Sequence, residues 1–213
     1  MNNKAIYLVG ASGHGKVVLD ALLQFGMPSE RIVVTDDSIQ LIAKDFLGLP
    51  IVVPALQVGA SQGLFHVAIG DGKVRQRLFE SLEEIGSQPI TVLHPRATIS
   101  RFVSIGPGSF VAAHAVIAPG VIIGRGTIIN HGTVIDHDCV IGSFVHISPN
   151  STLGGGVKIG DSVLVGSGAT ILPGTIVGDR AIIGAGAVVL KNIDVGVICA
   201  GVPAVTIGET QCD

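Results

Sequence analysis

From Ile99 to Val189 every sixth residue is Ile, Leu or Val, sixteen positions without an exception. Two residues before each stands Ala, Val, Ser, Thr or Cys. Gly is the commonest residue immediately after, and Pro-Gly or a lone Gly recurs two to four residues further on. A period of six is neither the roughly 3.6-residue turn of a helix nor the two-residue alternation of a long strand. Very short strands joined by corners produce it. In Thr133-Val134-Ile135, strand alternation sends residues 133 and 135 to one face and 134 to the other, so a small and a large side chain point inward together. Gly and Pro then break the strand, as at Pro107-Gly108, Pro119-Gly120 and Pro173-Gly174. Three corners close a triangle of eighteen residues, and sixteen hexads stack into about five coils, a prism on the order of 25 Å long at the usual strand spacing.

Residues 1–94 follow another pattern. Ile6 to Val9 reads as a buried strand, followed by Gly10-Ala11-Ser12-Gly13-His14-Gly15 and a helix whose apolar face carries Val18, Leu22 and Phe25. A second strand from Arg31 to Thr35 ends in Asp36-Asp37, and a third from Phe65 to Ile69 ends at Gly70-Asp71. The helix after it presents Val74, Leu78, Leu82 and Ile85 on one side. Alternation of this kind predicts a small parallel sheet, half of a Rossmann-like α/β domain, with ligands at the carboxyl ends of its strands. The domains are thus 1–94 and 95–213. The loop is G-x-x-G-x-G and not G-x-G-x-x-G, which argues against a nicotinamide or flavin cofactor. Its glycines followed by a helix N-terminus still favour a phosphate, and acids ending the second strand are placed for a sugar hydroxyl or a base edge.

Net charge is −3 with no basic run, which disfavours nucleic acid as a partner. Residues 102–124 contain no charged residue, yet Gly, Pro and Ser recur there in the hexad register and His114 sits inside, so no membrane insertion is expected. No secretory leader is read at the N-terminus. Cys139, Cys199 and Cys212 lack metal-ligand spacing and fit a reduced, cytoplasmic protein.

The hexads of residues 96–190 resemble the left-handed parallel β-helix acyltransferases, and that resemblance, not the periodicity, implies the left hand. The G-A-S-G-H-G loop ahead of them narrows it to bacterial nucleotide-sugar acetyltransferases of the bacillosamine, perosamine and sialic-acid type. The resemblance implies that the N-terminal domain holds the nucleotide. Ser12, Gly13 and His14 would meet the diphosphate, Asp36 and Asp37 the base or ribose, and Ala68-Ile69-Gly70 would close the pocket. Near the chain end Gly201-Val202-Pro203-Ala204 also matches, but Val205 stands where the family often has a basic residue.

Among the hexad histidines, His137 is singled out by position. It lies at a corner before Asp138, with Ala118-Pro119-Gly120 one coil earlier and Gly154-Gly155-Gly156 one coil later. Small neighbours leave it projecting into open space. A histidine near its unperturbed pKa of about 6.5 suits a general base for acyl transfer from a thioester. The segment Val134 to Gly142 resembles the catalytic stretch of the family, where the histidine is the base and an acid beside it, usually Glu and here Asp138, raises its basicity. Gly155 is the candidate backbone donor for the oxyanion. His146 occupies an outward strand position in the column Phe110, Ile128, His146, Leu164, Ile182, a stripe that predicts burial against an identical prism. The resemblance implies homotrimers with active sites between neighbours, a His146 that contacts acetyl-coenzyme A, and a coenzyme groove along Ser167 and Ala185. His114 and His131 read as solvated corners.

The expected activity is transfer of acetyl from acetyl-CoA, without a metal, to the 4-amino group of a UDP- or GDP-linked 4-amino-4,6-dideoxy sugar in surface-glycan biosynthesis. Two alternatives stand beside it, a sialic-acid type O-acetyltransferase and a non-catalytic sugar-nucleotide-binding scaffold. A zinc enzyme of the γ carbonic anhydrase kind would need histidines eighteen apart, and no pair among His94, His114, His131, His137 and His146 has that spacing.

Overall fold

The computed structural model describes residues 4–54 and 63–210, and the chain divides into two compact units, Met1–Pro95 and Arg96–Asp213. In the first unit the strands are β1 (Ile6–Val9), β2 (Ile32–Thr35), β3 (Asp45–Phe46), β4 (Leu49–Val52), β5 (Leu64–Val67) and β6 (Gln88–Pro89), in sheet order β3-β4-β2-β1-β5-β6. All pairings are parallel except the β3–β4 hairpin. Helix α1 (Gly13–Gln24) follows β1 and helix α2 (Gly72–Glu84) follows β5, so both helix N-termini lie at the carboxyl ends of neighbouring central strands.

Two apolar faces differ from the sequence pattern. On α1 the buried residues are Val18, Leu19, Ala21 and Leu22, while Phe25, expected on that face, is the C-cap and two-thirds exposed. On α2 the inward face is Arg75, Leu78, Phe79 and Leu82. Val74 is half-buried at its edge and Ile85 is the exposed C-cap. The ring of Phe79 meets Phe65 of β5 edge-on at 5.2 Å, which seats the helix on the sheet.

The second unit is a left-handed parallel β-helix. Sixteen two-residue strands run from Thr98–Ile99 to Val188–Val189, each paired with the strand eighteen residues away, as in Val116↔Val134 and Ile117↔Ile135. One face carries residues 98, 116, 134, 152, 170 and 188, the second 104, 122, 140, 158 and 176, and the third 110, 128, 146, 164 and 182. The third face is extended by Val197–Ala200 and an antiparallel strand, Val205–Glu209. The series Ile99 to Val189 points into the prism, and from Val111 onward every member is buried.

The small inward position has a second duty where it is polar. Ser109, Thr127 and Ser151 each donate to the carbonyl fifteen residues on, at Gly124, Gly142 and Gly166, all at 2.9 Å. These bonds satisfy corner carbonyls that the short ladders leave open. The second residue of each corner from 108 to 186 has φ between about +57° and +80°. Eight of these positions are Gly and six are not, among them His114, Asp138, Phe144 and Ser162.

Candidate active site

His137 and Asp138 form the corner between the first and second faces, after strand Val134–Ile135 and before Val140–Ile141. Asp138 sits at φ +60°, in the left-handed region that Asp tolerates better than most residues. That turn swings its carboxylate back, and His137 Nδ1–H donates to Oδ2 at 2.8 Å. The shorter acid therefore reaches the imidazole directly. Since a carboxylate only accepts, Nδ1 carries the proton and Nε2 presents a lone pair outward. The neighbouring Asp136 accepts the His137 backbone N–H at 2.7 Å and fixes the corner from the other side.

The small residues above and below do what their size implies. A β-carbon added at Gly120 would run into Oδ1 of Asp138, so the carboxylate occupies the space that glycine leaves. A β-carbon at Gly155 would lie 2.7 Å from Nε2 and 2.8 Å from Cε1 of His137. The imidazole thus lies directly over the bare backbone of Gly155. Among the described residues no protein acceptor takes the Gly155 N–H, while its carbonyl accepts from Gly174. The imidazole is largely exposed, and its pKa is raised above the usual 6.5, chiefly by the hydrogen bond to Asp138 and then by the charge of Asp136.

His146 is not part of this cluster within one chain. It lies nine residues after His137, half a coil, on the third face and thus opposite the His137 corner. Asn130 donates through Nδ2 to His146 Nε2 at 3.2 Å, its Oδ1 being taken by the N–H of His131, so His146 carries its proton on Nδ1. Ser167 and Ala185 are exposed at the corner between the third and first faces, with backbone N–H groups that no described acceptor takes. At the remaining corner Asp161 Oδ1 accepts from Ser143 N–H at 2.6 Å and Asp179 Oδ1 from Asp161 N–H at 2.9 Å, so those corner amides are already closed. The stripe of the third face needs correction: Phe110 and Ile128 are buried within the single chain, and only Leu164 remains more than a third exposed. Among the outward positions of the hexad strands the most exposed aliphatics are Ile122 and Ile176 on the second face.

In the first unit, Ser12 is the N-cap residue of α1 but its hydroxyl makes no capping bond. Ser12 and Gly13 are exposed and His14 half-buried, and the helix N-terminus opens to solvent. By contrast α2 is closed by its own cap, Asp71 Oδ1 accepting from Val74 N–H at 2.9 Å. Asp36 is engaged by the backbone: Oδ2 accepts from Ala11 N–H at 2.8 Å and Oδ1 from Ser38 N–H at 2.9 Å. It braces the glycine loop, whereas Asp37 is exposed. Gly15 is required where it stands, since a β-carbon there would strike the carbonyl oxygen of Gly10. Gly70 lies at the end of the segment that follows β5, its carbonyl held by Arg75 at 2.9 Å. Spacing and residue type missed Asp36 as a brace and Arg75 altogether. No cluster of His, Cys, Asp and Glu among the described residues could hold a metal, and Cys139 and Cys199 are buried free thiols, Cys212 lying outside the described residues. No described helix is long and apolar enough to cross a membrane.

Known proteins resemble this chain in sequence and in fold. Residues 5–82 match the PglD N-terminal domain, and residues 102–137, 120–155 and 156–191 match the bacterial transferase hexapeptide repeat. GDP-perosamine N-acetyltransferase of Escherichia coli O157:H7 is 39% identical over 95 residues, 45% of this chain and 43% of that enzyme, so the matched stretch spans less than half of that relative. The acetyltransferase domain of PglB from Neisseria gonorrhoeae, in complex with acetyl coenzyme A, superposes with a TM-score of 0.89 at 34% identity, over 97% of this chain and 100% of that one. PerB from Caulobacter crescentus, in complex with CoA and GDP-perosamine, gives 0.88 at 35% identity over 96% and 97%. The chain belongs to the nucleotide-sugar N-acetyltransferases that join a PglD-type N-terminal domain to a hexapeptide-repeat β-helix.

Proposed function

We propose that the protein transfers the acetyl group of acetyl-CoA to the 4-amino group of a nucleotide-linked 4-amino-4,6-dideoxy sugar, with His137 as general base. The observation that carries this reading is the imidazole held by Asp138 through Nδ1, with Nε2 free and a bare glycine backbone beneath it. As the neutral amine attacks the thioester carbonyl, Nε2 takes its proton, and Asp138 stabilises the imidazolium that results. The Gly155 N–H donates to the oxyanion of the tetrahedral intermediate. Collapse breaks the carbon–sulfur bond, and His137 returns its proton to the departing thiolate, leaving the amide, the free thiol and a neutral base.

His137 and His146 lie on opposite sides of one prism, so a site using both takes them from two copies of the chain. A homotrimer, with each His137 corner against the next copy's third face, meets that requirement. There His146 lies beside the coenzyme, and the open amides of Ser167 and Ala185 line a groove for the pantetheine. The nucleotide lies at the carboxyl ends of β1, β2 and β5, its diphosphate on Ser12, Gly13 and His14 at the uncapped α1 terminus, with Asp37 and Gly70 beside the base and ribose. UDP or GDP is the carrier and the cytoplasm, where acetyl-CoA is made, the compartment. The test is incubation with acetyl-CoA and a panel of UDP-, GDP- and dTDP-linked 4-amino sugars, following thiol release and product mass. An acetamido sugar with one carrier supports the proposal; acetylation of a hydroxyl, or no transfer with any carrier, contradicts it.

A further inference from the structure

Arg75 is the least expected side chain of the first unit. It sits on the buried face of α2, 1% exposed, between the apolar helix and the sheet. Burying a guanidinium is costly unless its donors are matched and its charge is used. Its Nη1 donates to two successive carbonyls, Ile69 at 2.8 Å and Gly70 at 2.9 Å. Burial lowers its pKa to about 10, opposed by the nearby Asp71 charge, so it stays cationic at neutral pH. The buried imidazole of His66 has its pKa lowered to about 4, mainly by burial and partly by Arg75, and is therefore neutral there.

The two carbonyls belong to the segment that abuts the glycine loop. Gly10 has φ +114°, and a β-carbon on it would lie 2.9 Å from both the Ala68 carbonyl oxygen and the Ile69 side chain. The loop after β1 and the segment after β5 therefore form one packed rim, and Arg75 fastens the second half of it from beneath. Packing alone would be served more cheaply by an aliphatic residue in this seat. We propose that Arg75 is a positioning residue for the nucleotide: it fixes the Ile69–Gly70 peptide as one wall of the pocket and places a buried positive charge behind a site that takes a diphosphate. The inference rests on the proposed nucleotide reading of the first unit and adds to it the residue that sets affinity there. Acyl transfer itself, in the second unit, does not involve Arg75.

The test compares the full-length protein with Arg75→Met and Arg75→Lys. UDP and GDP binding is measured by calorimetry, and KM for the nucleotide sugar, KM for acetyl-CoA and kcat are measured separately. Arg75→Met raises the nucleotide Kd and the nucleotide-sugar KM by roughly tenfold or more, while saturating kcat and the acetyl-CoA KM stay within about twofold. Arg75→Lys keeps the charge but offers a point donor in place of a planar fork, so it restores part of the loss and not all. Unchanged nucleotide affinity in a folded Arg75→Met protein overturns the inference, as does a fall in kcat with KM constant. Should Arg75→Met not fold, Arg75→Lys decides alone, and wild-type nucleotide affinity in it overturns the inference. Failure of the wild type to bind any nucleotide would instead remove the reading of the domain itself.

Discussion

Replacing Gly155 by Ala isolates the close approach on which the site is built. The added methyl would stand 2.7 Å from Nε2 and 2.8 Å from Cε1 of His137. Ordinary carbon contacts lie near 3.5–4.0 Å, so the imidazole must retreat by roughly 0.7 Å or more. It cannot do so freely, because Nδ1 is tied to Asp138 at 2.8 Å and the backbone N–H to Asp136 at 2.7 Å. A misplacement approaching 1 Å costs on the order of 10²-fold in rate. We therefore expect kcat of Gly155→Ala to fall by about two orders of magnitude. Gly155 lies outside the left-handed region, so Ala strains no backbone and the melting temperature should change little. The next residue is the control. Gly156 has φ +69° and nothing within 4 Å of an added β-carbon. Gly156→Ala should cost about 1–2 kcal/mol of backbone strain, visible as a few degrees in Tm, and leave kcat within about twofold. Steady-state kinetics and thermal melts on both variants decide the matter. Wild-type kcat in Gly155→Ala, or equal kinetic damage in both, would refute the reasoning.

Three further outcomes follow from the same contacts. Because His137 acts deprotonated and its pKa is raised above 6.5 by Asp138 and Asp136, kcat/KM should fall on the acid side with a midpoint above 6.5, and Asp138→Asn should move that midpoint to lower pH in the pH–rate profile. His66 is buried neutral with a pKa of about 4, so the unfolded state binds its proton first as pH falls below about 6.5; stability should drop by about 2 kcal/mol between pH 8 and pH 5 from this residue, and His66→Phe should flatten that part of the curve in denaturant titrations. Asp36→Ala removes the brace on Ala11 and Ser38 and should lower Tm and raise nucleotide KM together, whereas Asp37→Ala, at an exposed position, should raise KM with the smaller change in Tm.

The prism was legible because its inward positions obey a strict period of six, which neither a helix nor a long strand produces. The corners were less so: six of fourteen left-handed residues are not Gly, and Phe144 or Ser162 carries no turn signal of its own. His137 stood out through the small residues one coil above and below, which the period places even without coordinates. In the first domain the apolar faces were misread at the helix ends, since Phe25 and Ile85 continue the periodicity past the last turn, where the chain leaves the sheet. Arg75 escaped because a charged residue reads as solvated, and only the carbonyls left open after β5 explain its burial. The stripe from Phe110 to Ile182 could not be divided from its column alone into Phe110 and Ile128, which are buried, and Leu164, which is exposed. Whether Asp138 reaches the imidazole depended on its left-handed backbone, which the sequence does not reveal.

The most direct test of the account is turnover of His137→Ala with acetyl-CoA and the accepted nucleotide sugar, alongside nucleotide binding to the same protein. The account expects turnover lower by about 10²–10⁴-fold with nucleotide affinity unchanged. Turnover close to wild type in a protein lacking that imidazole would contradict it.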